Sequence, residues 1–456
     1  MKHLETTLEA ILTRRQNANK LRRLTINDPN KVDFSSNDYL SLSQDVAIQR
    51  EILARLEARV AAAECGGLSK GILGSGGSRL LDGNSSFAEE IEQKIARFHG
   101  SPAGLLFNSA YDANIGLLSC VPQPGDIVLY DEAIHASVHD GMRLSRASHC
   151  MAFSHSSVVD GSGNQSEQFA IPSLAETLQK VTLGDQGQKA KMGIINIFIC
   201  VEGIYSMDGC VTQLKDVVRQ VDQYLPRGNG YIIVDEAHSV GVLGERGRGL
   251  VCELALEEKV WARVHGFGKA IGCSGVGIVL CSDTVRSYLV NYARTLIYTT
   301  SMSYSSLVSI DVVHDYLARG RTKLRIQHLA DLIQSLHNLL EALSSRLSPT
   351  KSFLRIQQRP GTSPIIPIYT TRPRQLAAYC QMDGLMVRPI MSPTVPVGTE
   401  RIRVCLHAGN TIAQVERLVD TIGNWVQEQQ TMEIIEEDNR RRVSAVANRI
   451  GNQAKL

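Results

Sequence analysis

No apolar run in this 456-residue chain is long enough to anchor it in a membrane. The longest, such as IINIFICV from Ile194 to Val201, falls well short of the about 20 residues a spanning helix needs and reads as a buried strand. Charge of one sign is not in excess either: 48 Lys and Arg stand against 46 acids, which leaves no electrostatic footprint for nucleic acid or an anionic bilayer. The ten cysteines, from Cys65 to Cys405, contain no CxxC pair and no metal-type spacing. They read as buried thiols of a reducing compartment, and no metal is expected. The opening MKHLETTLEAILTRRQ lacks a signal-peptide core, so secretion is not expected. There is no GxxxxGK[ST]: Lys70 in GLSKGILGSGGSR is followed by Gly, and Lys269 in GFGKA by Ala. The DEAH of YIIVDEAHSVG, Tyr231 to Gly241, therefore has no phosphate cradle to serve as the acidic motif of a nucleotide hydrolase. Its other reading is an Asp at the end of a buried parallel strand.

What the chain does have is length enough for two or more lobes, and 43% hydrophobic residues to fill them. Residues 1–49 form an N-terminal arm, with Leu4, Leu8, Ile11 and Leu12 on one face of a helical pattern beside Arg14, Arg15, Arg22 and Arg23. From 50 to 324, apolar runs of strand length (GLLFNS, DIVLYD, IINIFICVE, YIIVDE, GVGIVLCS) alternate with helical patterns. That rhythm predicts an α/β domain with a mostly parallel central sheet and helices on both faces, because parallel strands need crossover helices. Ligands in such sheets collect at strand carboxyl ends, where Asp131, Glu202 and Asp235 fall. Ser154 to Lys191 reads as a surface crossover around the helical island PSLAETLQKV. Residues 325–429 read as a smaller α+β lobe that the arm joins, and 430–456 as a charged, frayed and flexible helical tail.

Thirty-four residues after Asp235, Lys269 lies in VHGFGKAIGCSGVGIVL, framed by Gly266, Gly268 and Gly272. Glycines there let a ligand approach the backbone closely, and an apolar setting lowers an ammonium's pKa and frees the amine for imine chemistry. Lysine plus a strand-end aspartate is the minimal kit for pyridoxal phosphate (PLP): an imine on one side and a carboxylate partner for the pyridine nitrogen on the other.

Around that pair the chain resembles the α-oxoamine synthase family of fold-type I PLP enzymes, most closely its biotin-pathway branch. The motifs run in order from about residue 4 to 425: LRR, FSSNDYLSLS, GSGGSRLLDGNSSFAEEIE, LLFNSAYDAN, DEAIHASVHDG, VEGIYSMDG, VDEAHSVGVLGERGRG, GFGKAIG, LIYTTSM and PTVPVGTERIRVCL.

The resemblance implies PLP bound through Lys269, with Asp235 on the pyridine nitrogen, His238 on the phenolic oxygen and His135 over the ring. It further implies Glu202 and Ser206 orienting the cofactor, and Ala110 and Tyr111 in the phosphate cup where the family usually shows Gly-Phe. Thr300 would reach a phosphate across a subunit interface, which implies a homodimer with shared sites. Arg403, helped by Asn37, would clamp the amino-acid carboxylate, and Arg22 would stand near the acyl entrance.

Two further positions depart from the family pattern. Gly266 stands where a phosphate-binding Thr is common, a loss for which His265 could compensate, and Met391 stands where the bacterial biotin enzyme has Arg. The expected reaction is a decarboxylating condensation of an amino acid, L-alanine, with an acyl-CoA, pimeloyl-CoA. Met391 raises the alternative of a natural-product synthase that takes a polyketide or fatty acyl thioester. GSGGSR favours the biotin-type enzyme over the aminolevulinate type, and the terminal Ala454-Lys455-Leu456 resembles a peroxisomal address read by an import receptor.

Overall fold

The structure is a computed structural model that describes residues 2–18, 20–26, 28–65, 73–158, 171–347, 353–356 and 361–453. Lys70 and the terminal Ala454-Lys455-Leu456 lie outside them.

A seven-stranded sheet forms the large lobe, from β2 (Ala103–Phe107), β3 (Ile127–Asp131), β4 (His149–Phe153), β5 (Ile197–Glu202), β6 (Gly230–Asp235), β7 (Ala262–Gly266) and β8 (Gly277–Cys281). Their order is β2-β8-β7-β6-β5-β3-β4, and β8 runs antiparallel to both neighbours while the other pairings are parallel. Strands β2, β5, β7 and β8 are buried at every residue, which is why β2, β5 and β8 read as apolar runs and not as alternating ones, whereas β7 also buries Arg263 and His265. The register that pairs β5 with β6 sets Glu202 directly opposite Asp235. Two acids thus end adjacent strands side by side.

β8 also lies directly beneath the start of helix α4 (Ala110–Cys120, in chain order after α1 Lys2–Asn17, α2 Val46–Glu64 and α3 Ser86–Phe98). A Cβ on Gly277 would stand 2.5 Å from the Ala110 backbone nitrogen, so only glycine allows this approach.

The smaller lobe contains a four-stranded antiparallel sheet, order β12-β13-β10-β9, built from β9 (Arg355–Ile356), β10 (Ile365–Tyr369), β12 (Arg388–Ile390) and β13 (Arg401–Cys405). The arm reaches it through β1 (Val32–Asp33), which pairs in parallel with β11 (Leu385–Met386). It then runs on past Phe34, which is fully buried and bonds through its backbone to Met386 and Cys405, to the fully buried Tyr39, whose hydroxyl meets His238 of the large lobe. By contrast, the apolar face of α1 (Leu4, Leu8, Ile11, Leu12) is exposed.

The stretch after Gln430, expected as a charged, frayed helical tail, continues the helix that runs from Ile412 to Gln453. Between Asn424 and Ile450 the sequence has neither Gly nor Pro to stop it. Among the described residues no helix is long and apolar enough to cross a membrane, and no group of three or more His, Cys, Asp or Glu is placed to hold a metal.

Candidate active site

Strand ends of the large sheet, the start of α4 and the loop after β7 enclose a cavity of about 300 Å³. Lys269, Asp235, His238, Glu202, His135, Ala110, Tyr111 and Asn37 all line it. Larger cavities exist elsewhere, including one of about 530 Å³ beside Asp33 and His407, but they contain neither Lys269 nor Asp235.

Asp235 is buried and doubly held: Ala237 N donates to Oδ1 at 2.9 Å and Asn114 Nδ2 to Oδ2 at 2.7 Å. Beside it, burial and the Asp235 charge push the Glu202 carboxyl well above its usual pKa, and its Oε1 has no hydrogen-bond partner. Leaving a buried polar atom unmet costs about 1–3 kcal/mol, so this oxygen marks where a polar group of a ligand belongs. Lys269 faces the same space, and burial lowers its pKa against the opposing pull of Asp235 and Glu202. Its amine is therefore easier to free than an exposed lysine's.

His135 caps helix α5 (Ala136–Arg143), where Nδ1 accepts from Ser137 N at 3.2 Å and lies 2.8 Å from Ser137 Oγ. Burial holds its pKa low, and its ring meets Tyr111 edge-on with centroids 6.1 Å apart. His238 is buried, and its Nδ1 is taken by the Tyr39 hydroxyl at 2.7 Å. Ala110 and Tyr111 occupy the first turn of α4 after the Ser109 cap, where backbone N–H groups lack intrahelical acceptors and favour an anion.

Other expected residues fall outside this cavity. Arg403 reaches it through Asn37: Nη2 donates to Asn37 Oδ1 at 3.3 Å and Nη1 to the Ser206 carbonyl at 3.0 Å, while Nε is unpartnered. Ser206 thus contributes its carbonyl to Arg403, and its side chain does not line the cavity. Thr300 is exposed, with its carbonyl accepting from Asn108 Nδ2 at 2.8 Å. Arg22 and Met391 lie together in a separate cavity of about 170 Å³ that Arg15, Lys20 and Arg374 also line.

Two expectations need correction. His265 cannot substitute for a Thr at 266: it is fully buried on the opposite face of β7, where its Nε2 lies 3.2 Å from Glu236 Oε2. Adjacent strand residues point to opposite faces, so the neighbour of a cavity-facing Gly266 must turn away. Asp131, also at a strand end, holds His155 Nδ1 at 2.9 Å and does not line the cavity.

Sequence reasoning missed Asn114, Ser137 and Tyr39. The spacing did hold a clue to Asn114, which lies one helical turn beyond Ala110 and so on the same face.

Residues 29–422 match the protein family described as aminotransferase class I and II. The 8-amino-7-oxononanoate synthase of Emericella nidulans is 46% identical over 93% of this chain and 97% of its own length. An aminoacyl transferase, sphA, of Aspergillus fumigatus is 35% identical over 87% and 81% respectively. Among solved structures, a serine palmitoyltransferase of S. paucimobilis with bound PLP and myriocin superposes with a TM-score of 0.72, covering 92% of this chain and 96% of that one at 22% identity. That likeness is one of fold.

Proposed function

The chain belongs to the aminotransferase class I and II family, and we propose that within it the protein is a PLP-dependent α-oxoamine synthase of the 8-amino-7-oxononanoate synthase type, which condenses L-alanine with pimeloyl-CoA and releases CO₂ and CoA. The observation that carries the reading is the lining of one cavity by Lys269, Asp235 and His238, with an unmet polar atom on Glu202.

The residues fit the cofactor. Lys269 would carry it, Asp235 would hold its ring nitrogen protonated, the α4 N-terminus would take its phosphate, and the imidazole of His135 would cover one face. When bound, PLP supplies an electron sink for the α-carbanion of the amino acid.

The rest is done by the chain. Asn114 and Ala237 N fix both oxygens of Asp235, so the carboxylate keeps one orientation. The lowered pKa of Lys269 favours the neutral amine, the form that takes the substrate's α-proton and returns it. Arg403 and Asn37 form a donor pair for the substrate carboxylate, and a guanidinium fork suits that group. Thr300, exposed and outside the cavity, serves a partner's site in a homodimer.

On the acyl side, Met391 does not make its surroundings apolar. Arg15, Lys20, Arg22 and Arg374 line the same cavity. Positive charge absent at 391 is thus supplied from other elements, which supports an anionic acyl donor. The likeness to the aminoacyl transferase sphA keeps a second reading open, a synthase that takes a fatty acyl or polyketide thioester. CoA release from a panel of alanine, glycine and serine against pimeloyl-CoA and long-chain acyl-CoA separates them. Turnover with alanine and pimeloyl-CoA above all other pairs supports the first; preference for the long chain overturns it.

A further inference from the structure

Tyr39 comes from the N-terminal arm, yet its ring is fully buried, and its hydroxyl lies 2.7 Å from His238 Nδ1 and 3.1 Å from Asn37 Oδ1. That same Asn37 oxygen accepts from Arg403 Nη2 at 3.3 Å. His238 and Asn37 both line the cavity, whereas Tyr39 stands behind them. One phenol therefore joins the histidine beside the cofactor site to the pair proposed for the substrate carboxylate.

The protons can be placed. Burial above all, with Cys405 nearby, keeps the Tyr39 phenol well above its usual pKa, so the hydroxyl retains its proton. Burial, with the Lys269 and Arg403 charges, holds His238 well below the usual imidazole range, so its ring is neutral. A neutral imidazole has one N–H, and the partner of one nitrogen decides which nitrogen bears it. If Tyr39 donates to Nδ1, the ring proton must sit on Nε2. If Tyr39 donates to Asn37 instead, His238 presents a lone pair from Nε2.

We propose that Tyr39 is a positioning residue for His238: its hydroxyl donates to Nδ1 and thereby fixes the N–H on Nε2, the nitrogen left for the cavity. Two observations favour this choice. The contact to His238 is the shorter, and Asn37 Oδ1 already accepts from Arg403. A carboxylate that engages Arg403 and Asn37 acts on the second acceptor of the same phenol, so occupancy of the carboxylate clamp feeds into the histidine's tautomer. Naming what Nε2 meets, the phenolic oxygen of PLP, rests on the function proposed above; the hydrogen-bond chain itself does not.

Tyr39→Phe keeps the ring and deletes the hydroxyl. In the holoenzyme, the pH midpoint of the cofactor's visible band should move by about half a unit or more, and kcat should fall about tenfold or more. In a His238→Asn background the same change should move neither further, because the route through the histidine is already cut. Wild-type protein with no visible band at saturating PLP would defeat the cofactor reading. A band present but unmoved in Tyr39→Phe, or moved equally in both backgrounds, would defeat the role of Tyr39. Should Tyr39→Phe fail to fold, ¹⁵N spectra of histidine-labelled wild-type apoprotein read the tautomer directly: Nε2–H supports the proposal and Nδ1–H overturns it.

Discussion

A Cβ placed on Gly266 would lie 3.3 Å from the Cβ of Ala110 and 3.2 Å from that of Ala237, tighter than ordinary packing. Gly266 and Ala110 are also two positions at which the chain departs from the pattern of the family it resembles, Gly for Thr and Ala for Gly. The departures adjoin in the wall of the cofactor cavity: the methyl gained at 110 crowds the place of the side chain lost at 266.

Gly266→Thr alone should therefore crowd Ala110 and lower PLP affinity, with an overpacking cost of about 1–3 kcal/mol. The pair Gly266→Thr with Ala110→Gly should recover that loss, and a hydroxyl near the α4 N-terminus should then tighten PLP binding beyond wild type. Absorbance titration with PLP checks both. Additive effects of the two changes would show that the positions are not coupled.

Lys269→Ala should abolish CoA release while leaving the circular dichroism spectrum unchanged, because no other cavity residue is a primary amine. Asp235→Asn should be nearly as damaging for a different reason. Ala237 N and Asn114 Nδ2 both donate to Asp235, so an amide NH₂ must face one of these donors, at about 1–3 kcal/mol for an unmet group. Turnover of either variant within tenfold of wild type would contradict the assignment.

His155 gives a pH signature away from the chemistry. Burial disfavours its charge, but the hydrogen bonds and charges of Asp131 and Cys210 lift its pKa to about 10. A histidine raised on folding stabilises fully below its unfolded value of about 6.5, and that contribution is lost as pH rises through the native value. Wild type should thus melt higher than His155→Gln at pH 6, and the gap in Tm should close as pH approaches 10. A gap that stays constant over this range would show that the ion pair with Asp131 does not carry the effect.

The residues legible in the sequence were those whose chemistry matches their address. Asp235 and Glu202 end long apolar runs, and Lys269 sits in a glycine-rich loop, so strand length and composition were enough. The DEAH letters were legible only in part. Asp235 and His238 face the cavity, whereas Glu236 is fully buried on the far side, where it accepts from Val251 N and Ser239 Oγ and pairs with His265. Tyr39 could not be read as a site residue, because its contact with His238 spans 199 positions and nothing within FSSNDYLSLS points to it. The helical character of the C-terminal stretch was legible, and the helix runs on from Ile412 to Gln453 because no proline interrupts it.

The cavity proposed for the acyl donor yields the sharpest test of substrate identity. Met391 shares its cavity with Arg22 and Arg374, and the cations there can serve either the phosphates of CoA or a carboxylate at the far end of the acyl chain. Pimeloyl-CoA and heptanoyl-CoA carry the same CoA and the same chain length, but only the first ends in a carboxylate. If Arg374 and Arg22 hold that carboxylate, Arg374→Ala should raise KM about tenfold for pimeloyl-CoA and leave heptanoyl-CoA within about twofold, as a charge-assisted contact predicts. If they hold phosphate, both substrates should suffer alike. Met391→Arg adds a further cation to a cavity already rich in them, so it should help pimeloyl-CoA little and hinder a long apolar chain, which would meet an unpaired guanidinium. Heptanoyl-CoA turned over as well as pimeloyl-CoA by wild type, with Arg374→Ala harmless to both, would remove the dicarboxylate from consideration and leave the apolar acyl reading in its place.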